Sequence, residues 1–243
     1  MADTHSISIV IPTHNSSGHI RETIQAVATL TESFSLLQIV IVDDGSSDDT
    51  FDAVQKAFLE LPSVAHTAVE LATNVGQSAA TAIGLAHADG ELVVSLDDDL
   101  SYPVKEIPKL VDALAENLDF VVGAPSSYAN SLPRRIASRL VRWLGNKAFR
   151  TPPHFIFSSF VCYRKSFVAR LKLPSQPVER IGWMFSLSAR YVNVPIDTAA
   201  GLRKLSNYSF IDLLRTARPV LLPLLLILGR ALRWVAMLTS SNC

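Results

Sequence analysis

The sequence predicts an α/β domain built on a mostly parallel sheet with helices on both faces. Three observations carry this. Three strand-like apolar runs each lead through turn residues into a stretch of helical apolar spacing, and a fourth run follows. Short crossovers of this kind force parallel neighbours and gather the polar loops at the carboxyl ends of the strands. Finally, 243 residues with 49% hydrophobic and 18% charged side chains suffice for a full core and argue against disorder.

Ser6 to Pro12, SISIVIP, is a β-branched run stopped by proline and reads as the first strand. THNSSGHI follows, in which Asn15, Ser16 and Ser17 are candidate caps for a helix carrying Ile20, Ile24, Val27 and Leu30. Leu37 to Val42 is the second strand and runs into DDGSSDDT. There Gly45 permits a sharp turn, Ser46 to Asp49 offer caps, and Phe51, Val54 and Phe58 mark the next helix. Carboxylates such as Asp43 and Asp44 at a strand end can accept from a base N–H or ribose hydroxyls, although Asp-Gly is also a common turn dipeptide.

Val64 to Leu71 is the third strand, Asn74 and Gly76 turn the chain, and Ser78 to Ala88 is a small-residue helix able to approach the sheet closely. The fourth run, ELVVSLDDDLSYP, ends in Asp97, Asp98 and Asp99. Adjacent carboxylates raise one another's pKa unless a cation neutralises them, and Mg2+ binds oxygen ligands together with substrate phosphates. Taken alone, the triplet reads equally as a metal–diphosphate anchor or as a solvated acidic turn. The topology places it and the Asp43 loop at one cleft.

Pro108 to Asn117 reads as a helix and Phe120 to Gly123 as a strand. Ile136, Leu140, Trp143 and Leu144 share a helical face, with Arg134, Arg135, Arg139, Arg142 and Lys147 around it. Such a helix suits a membrane surface or anionic headgroups, or equally a core with a solvated basic face. Phe155 to Tyr163 is expected as a strand crossing the cleft mouth, Gln176 to Arg180 as a loop, Ile181 to Tyr191 as a helix, and Val192 to Ile196 as an edge strand. The apolar run of ten residues from Val220 to Gly229 contains Pro223. It is short of the roughly 20 residues of a spanning helix. With Arg215, Arg218, Arg230 and Arg233 it reads as an amphipathic tail that lies on a membrane or docks on a partner.

The formal net charge of zero conceals a division: residues 1 to 119 hold 19 acids and 4 bases, whereas residues 120 to 243 hold 3 acids and 18 bases. An acidic half suits a metal and a basic half suits anions. Cys162 and Cys243 have neither disulfide-framework nor zinc spacing. MADTHSISIV lacks the basic and long apolar segments of a secretory signal, so the expected location is cytoplasmic and peripheral to the membrane.

The ordered segments SIVIPTHN, VDDGSSDDT and NVGQSAATAIGLAHADGELVVSLDDDLSYP resemble the family 2 glycosyltransferases of the GT-A fold, a Rossmann-like mostly parallel sheet flanked by helices. Among them the chain is most similar to the polyprenyl-phosphate glycosyltransferases, the group that includes dolichol-phosphate mannose synthase and undecaprenyl-phosphate sugar transferases. The resemblance is dense over residues 6 to 123, and VERIGW and SNYSF extend it thinly. It implies a domain over residues 1–208, with a nucleotide half at 1–123 and an acceptor half at 124–208, and a tail at 209–243.

Position by position, the resemblance implies that Pro12, Thr13 and Asn15 line the nucleotide pocket and that Asp43 holds the base with Asp44 nearby. Gly76 and Gln77 would lie against the donor, Asp97 and Asp98 near ribose and phosphate, and Asp97 with Asp99 would bind Mg2+ or Mn2+ on the diphosphate of a UDP- or GDP-sugar. Transfer would be an inverting displacement. Ser101, a shorter and weaker candidate metal ligand, stands where relatives place a glutamine. APSSYAN lacks the arginines that meet the lipid phosphate in relatives, and Gly201 replaces another. Arg203 and Lys204, with Arg134 and Arg135, are the candidate acceptor-phosphate ligands, and Arg203 is also a candidate catalytic residue. The paired membrane-spanning helices that follow the domain in relatives are not expected here.

Two alternatives stay open. A saccharide hydroxyl acceptor would need a base, for which Glu179 is the candidate, and a non-catalytic homologue would bind the nucleotide alone. The expected partners are the nucleoside-diphosphate sugar, the polyprenyl phosphate or glycan, and the membrane surface, with a homo-oligomer or a membrane subunit open. Nucleic acid is not among them.

Overall fold

The computed structural model describes residues 3–125, 152, 154–156, 158–171 and 189–197. They form one seven-stranded sheet: β1 (Asp3–Thr13), β2 (Phe34–Asp43), β3 (Ala65–Glu70), β4 (Leu92–Ser95), β5 (Phe120–Pro125), β6 (Val161–Arg164) and β7 (Tyr191–Ile196). Its spatial order is β3-β2-β1-β4-β6-β5-β7. β1 pairs in parallel with both β2 and β4, β2 with β3, and β5 with β7, while β6 runs antiparallel between β4 and β5.

The β-branched runs are buried on both faces, as a helix-covered parallel sheet requires. Ile9, Val10, Ile11, Ile39, Val40, Ile41 and Val42 are all inaccessible to solvent. Helices α1 (Ile20–Ala28), α2 (Thr50–Leu59) and α4 (Ile107–Asp112) contribute to the core on one face. On the other face pack α3 (Gln77–Ala86) and α5 (Lys165–Arg170). The small-residue character of α3 has a direct cause: a Cβ at Gly84 would lie 2.3 Å from Val10 Cγ1.

The first two expected strands recur with longer ends, the third is one residue shorter at each end, and the edge strand near Val192 is present as β7. The stretch from Phe155 differs. β6 begins only at Val161 and lies inside the sheet, where antiparallel pairing to β4 and β5 buries Cys162 and Tyr163, and Phe155 packs into the core with α3. Tyr191 belongs to β7, not to a helix. The helix expected over Pro108 to Asn117 starts at Ile107, directly after a 3-10 turn at Val104–Glu106, and is shorter than expected because α4 ends at Asp112. The basic helix around Trp143, the Gln176 loop and the tail lie outside the described residues. Among the described residues, no helix is long and apolar enough to cross a membrane.

Candidate functional site

The sheet order places β2 and β4 on opposite sides of β1, so the strand order reverses at the carboxyl end of β1. Such a switch point opens a crevice between the loops that leave in opposite directions, and ligands of open α/β sheets bind there. Thr13, the last residue of β1, joins the two acidic loops. Its carbonyl accepts from Asp44 N at 2.8 Å, and its hydroxyl donates to Asp98 Oδ2 at 2.7 Å. The two acidic loops therefore share one edge, as the topology predicts.

The first loop is knitted by its own carboxylates. Asp44, 3% exposed, accepts from Val75 N at 2.7 Å and Gly76 N at 2.9 Å, and so braces the turn before α3. Asp43, 1% exposed, accepts through Oδ1 from the Ser46 amide and hydroxyl. Between them and Asn74 the chain has no room for a side chain: Gly45 sits at φ +64°, and a Cβ there would lie 2.6 Å from the Thr73 carbonyl carbon. Gly76 also adopts a left-handed backbone, at φ +92°, immediately before α3.

The candidate caps act differently from expectation. No side chain caps α1, and the Ser16 carbonyl instead accepts from His19 N and Ile20 N. Asn15, Ser16 and Ser17 tie the loop after β1 to the loop after β2. Asn15 N donates to Ser46 Oγ at 2.8 Å, and its Oδ1 accepts from Ser47 N at 2.8 Å. Ser16 N donates to Thr50 Oγ1 at 2.7 Å and Ser17 Oγ to Asp48 Oδ2 at 2.8 Å. Asp48 also receives the Thr50 amide and hydroxyl, and these bonds, led by the Thr50 hydroxyl, hold its pKa below the usual carboxylate value. Asn15 reaches this arrangement at φ +52°, a region asparagine tolerates better than most residues.

The three aspartates after β4 diverge. Asp98 turns toward α1: its Oδ2 receives Thr13 Oγ1 and Ser16 Oγ, His19 Nε2 stands 3.8 Å from Oδ1, and the Asp98 carbonyl receives Thr23 Oγ1 at 2.5 Å. Asp99 is exposed and receives Ser101 N at 2.9 Å and Ser101 Oγ at 2.6 Å. The Ser101 hydroxyl is thus committed as a donor to Asp99. Asp97 receives Gln77 Nε2 at 2.6 Å on Oδ1 and Ser159 Oγ at 2.5 Å on Oδ2. Burial, opposed in part by the Ser159 bond and reinforced by the charges of Asp99 and Asp98, pushes the Asp97 pKa up to about 6.

Among the described residues, no lysine or arginine forms an ion pair with Asp97, Asp98 or Asp99. Nor do three His, Cys, Asp or Glu side chains there converge as a self-sufficient metal cage. The donor set nevertheless fits a hard divalent cation, which commonly takes one or two carboxylates and completes its shell with phosphate oxygens and water.

The structure thus brings together Pro12, Thr13, Asn15, Asp43, Asp44, Gly76, Gln77, Asp97, Asp98, Asp99 and Ser101 around the ends of β1, β2 and β4. Arg134, Arg135, Glu179, Arg203 and Lys204 lie outside the described residues. Ser159, absent from the sequence expectations, enters because β6 runs antiparallel to β4, so the residue preceding β6 meets the carboxyl end of β4. The paired serines of FSSF, set between apolar neighbours, were the available sign.

Residues 8–171 match the profile of glycosyl transferase family 2. An undecaprenyl-phosphate 4-deoxy-4-formamido-L-arabinose transferase from Sodalis glossinidius is 40% identical over 139 residues, 57% of this chain and 42% of that protein. The enzyme of the same name from Salmonella choleraesuis is 37% identical over 145 residues, 59% of this chain and 44% of that protein. The aligned part is therefore less than half the length of these curated relatives.

Among solved structures, a mannosyltransferase from Pyrobaculum calidifontis in complex with GDP-Man and Mn2+ superposes with a TM-score of 0.64 at 21% identity, over 85% of this chain and 59% of that one. Glucosyl-3-phosphoglycerate synthase from Mycobacterium tuberculosis, with Mn2+ and UDP-glucose, gives 0.66 at 20% identity, over 91% and 78%. At these identities the likeness is one of fold, and that fold is GT-A. With the profile spanning most of its length and the acidic loops at the switch point of the sheet, the chain belongs to glycosyl transferase family 2.

Proposed function

We propose that the chain transfers a sugar from a nucleoside-diphosphate sugar to a polyprenyl phosphate at the cytoplasmic face of a membrane, with inversion at the sugar C1. The observation that carries this is the Asp97–Asp99 pair: carboxylates without a basic partner among the described residues, at the switch point where the fold binds ligands. The ligands of the fold neighbours support the donor class and a divalent metal, and the names of the curated relatives support the lipid phosphate.

In this reading Asp97 and Asp99 hold Mg2+ or Mn2+. When bound, the cation neutralises the charge that grows on the diphosphate as the C1–O bond breaks. Thr13 and Asn15 shape the nucleotide pocket beside Pro12, with Asp43 and Asp44 behind them. Gln77, at the first turn of α3, stands beside Asp97, where the positive end of the helix dipole favours phosphate. Ser101 orients Asp99.

An ionised acceptor phosphate supplies its own nucleophilic oxygen at neutral pH, so the transfer needs no general base. Arg203 and Lys204, with Arg134 and Arg135, bind that phosphate, and the apolar tail rests at the membrane surface as a peripheral attachment. Purified protein incubated with UDP- and GDP-sugars, Mn2+ and undecaprenyl phosphate in detergent should yield a lipid-linked sugar. Failure with every donor, alongside transfer to a saccharide, would shift the acceptor to a hydroxyl and the base to Glu179.

A further inference from the structure

The structure assigns Ser159 as a positioning residue for Asp97: its hydroxyl, fixed by the neighbouring strand, sets the orientation in which that carboxylate meets a divalent cation. This rests on the reading of Asp97 as a metal ligand. The contact sequence is continuous. Ser95, 3% exposed on β4, donates through Oγ to the Ser159 carbonyl at 2.5 Å, and Ser159 Oγ donates to Asp97 Oδ2 at 2.5 Å. Gln77 Nε2 holds the other carboxylate oxygen at 2.6 Å.

A carboxylate gripped on one oxygen still swings about its terminal torsion. Gripped on both by donors from different elements, α3 on one side and the lead-in to β6 on the other, it is locked. The backbone of Ser159 is itself held to β4, the strand that delivers Asp97, so the serine cannot drift away from its target.

The chemistry of the two donors matters as much as their placement. Both are neutral. A lysine or arginine in either place would neutralise Asp97 and compete with a cation, whereas a hydroxyl and a carboxamide orient the charge and leave it available. Each carboxylate oxygen has a second lone-pair direction, so the Ser159 bond and a metal bond can coexist on one carboxylate.

Removing a partner that orients a metal ligand typically costs about 10- to 100-fold in metal affinity. Ser159→Ala is therefore expected to raise the Mn2+ dissociation constant at least about tenfold, read from the free Mn2+ signal by electron paramagnetic resonance with UDP or GDP present. The metal-free melting temperature should stay near that of the unmodified protein. Ser159→Thr, which keeps the hydroxyl, should restore near-normal Mn2+ binding. Normal Mn2+ binding by Ser159→Ala, together with its loss in Asp97→Asn, would overturn the inference alone. Equal loss in Ser159→Thr and Ser159→Ala would also overturn it, by making the effect one of packing. Normal Mn2+ binding by Asp97→Asn would instead remove the metal-ligand reading on which the inference stands.

Discussion

The two acidic loops at the end of the sheet are alike in sequence and opposite in physics. Asp43 and Asp44 are buried and spend their oxygens on amides and a hydroxyl of neighbouring loops, so their charge is absorbed in building the turn and bracing the entry to α3. Asp97 and Asp99 also receive two donors each, but they lie closer to solvent and repel one another. A buried carboxylate whose oxygens hold loop amides in place is structural material. One that is oriented but not neutralised is prepared for a cation from outside.

That contrast can be broken most strongly through pH. Because folding raises the Asp97 pKa from 3.8 to about 6, the fold favours its neutral form. The associated stabilisation is present below the unfolded value and is lost as pH rises through about 6. With about 1.4 kcal/mol per unit, it amounts to on the order of 3 kcal/mol. Urea unfolding in chelator should show a decline in stability between about pH 4 and pH 7 that Asp97→Asn lacks. Parallel pH profiles for the two proteins would contradict it.

Next comes Asp44→Ala, which strands the Val75 and Gly76 amides. The expected loss is about 2 to 3 kcal/mol of unfolding free energy by urea titration, independent of any metal. A metal-dependent loss would mean that Asp44 belongs with Asp97 after all.

Asp98→Ala separates the members of the triplet. Asp98 ties β4 to the loop after β1 through the buried Thr13 and Ser16, whose hydroxyls lose this acceptor when it is removed. About 1 to 2 kcal/mol of stability should go, with Mn2+ affinity nearly kept. If Mn2+ binding vanished instead, Asp98 would be a ligand. The smallest effect is expected from Asp48→Ala, which loses the Ser17 and Thr50 contacts at the surface, about 1 kcal/mol or less by thermal unfolding.

The fold was legible because each β-branched run, followed by turn residues and then apolar residues at helical spacing, could form only a covered parallel sheet. The strands, the order of α1 to α3 and the shared edge of Asp43 and Asp97 follow from that pattern. What could not be read was the division of labour among neighbouring carboxylates. Asp97 and Asp98 are adjacent in sequence, yet one meets α3 and the other the loop before α1, because the chain has left β4 at Ser95 and turns at Asp98.

Ser159 was invisible for a different reason. Its partner is 62 residues away in the chain, and the contact depends on β6 pairing antiparallel within the sheet when a strand across the cleft mouth was expected. The serines before α1 misled in a smaller way, because hydroxyls suited to capping were used to lace two loops together.

In the proposed transfer, Asp97 and Asp99 recruit a divalent cation to a nucleoside diphosphate. Calorimetric titration of UDP and GDP, with Mn2+ and with chelator, into the unmodified chain and into Asp99→Asn tests it most directly. Binding of at least one nucleotide should require Mn2+ and be lost in Asp99→Asn, with the melting temperature of the metal-free protein unchanged. Metal-independent binding, or full Mn2+-dependent binding in Asp99→Asn, would contradict it.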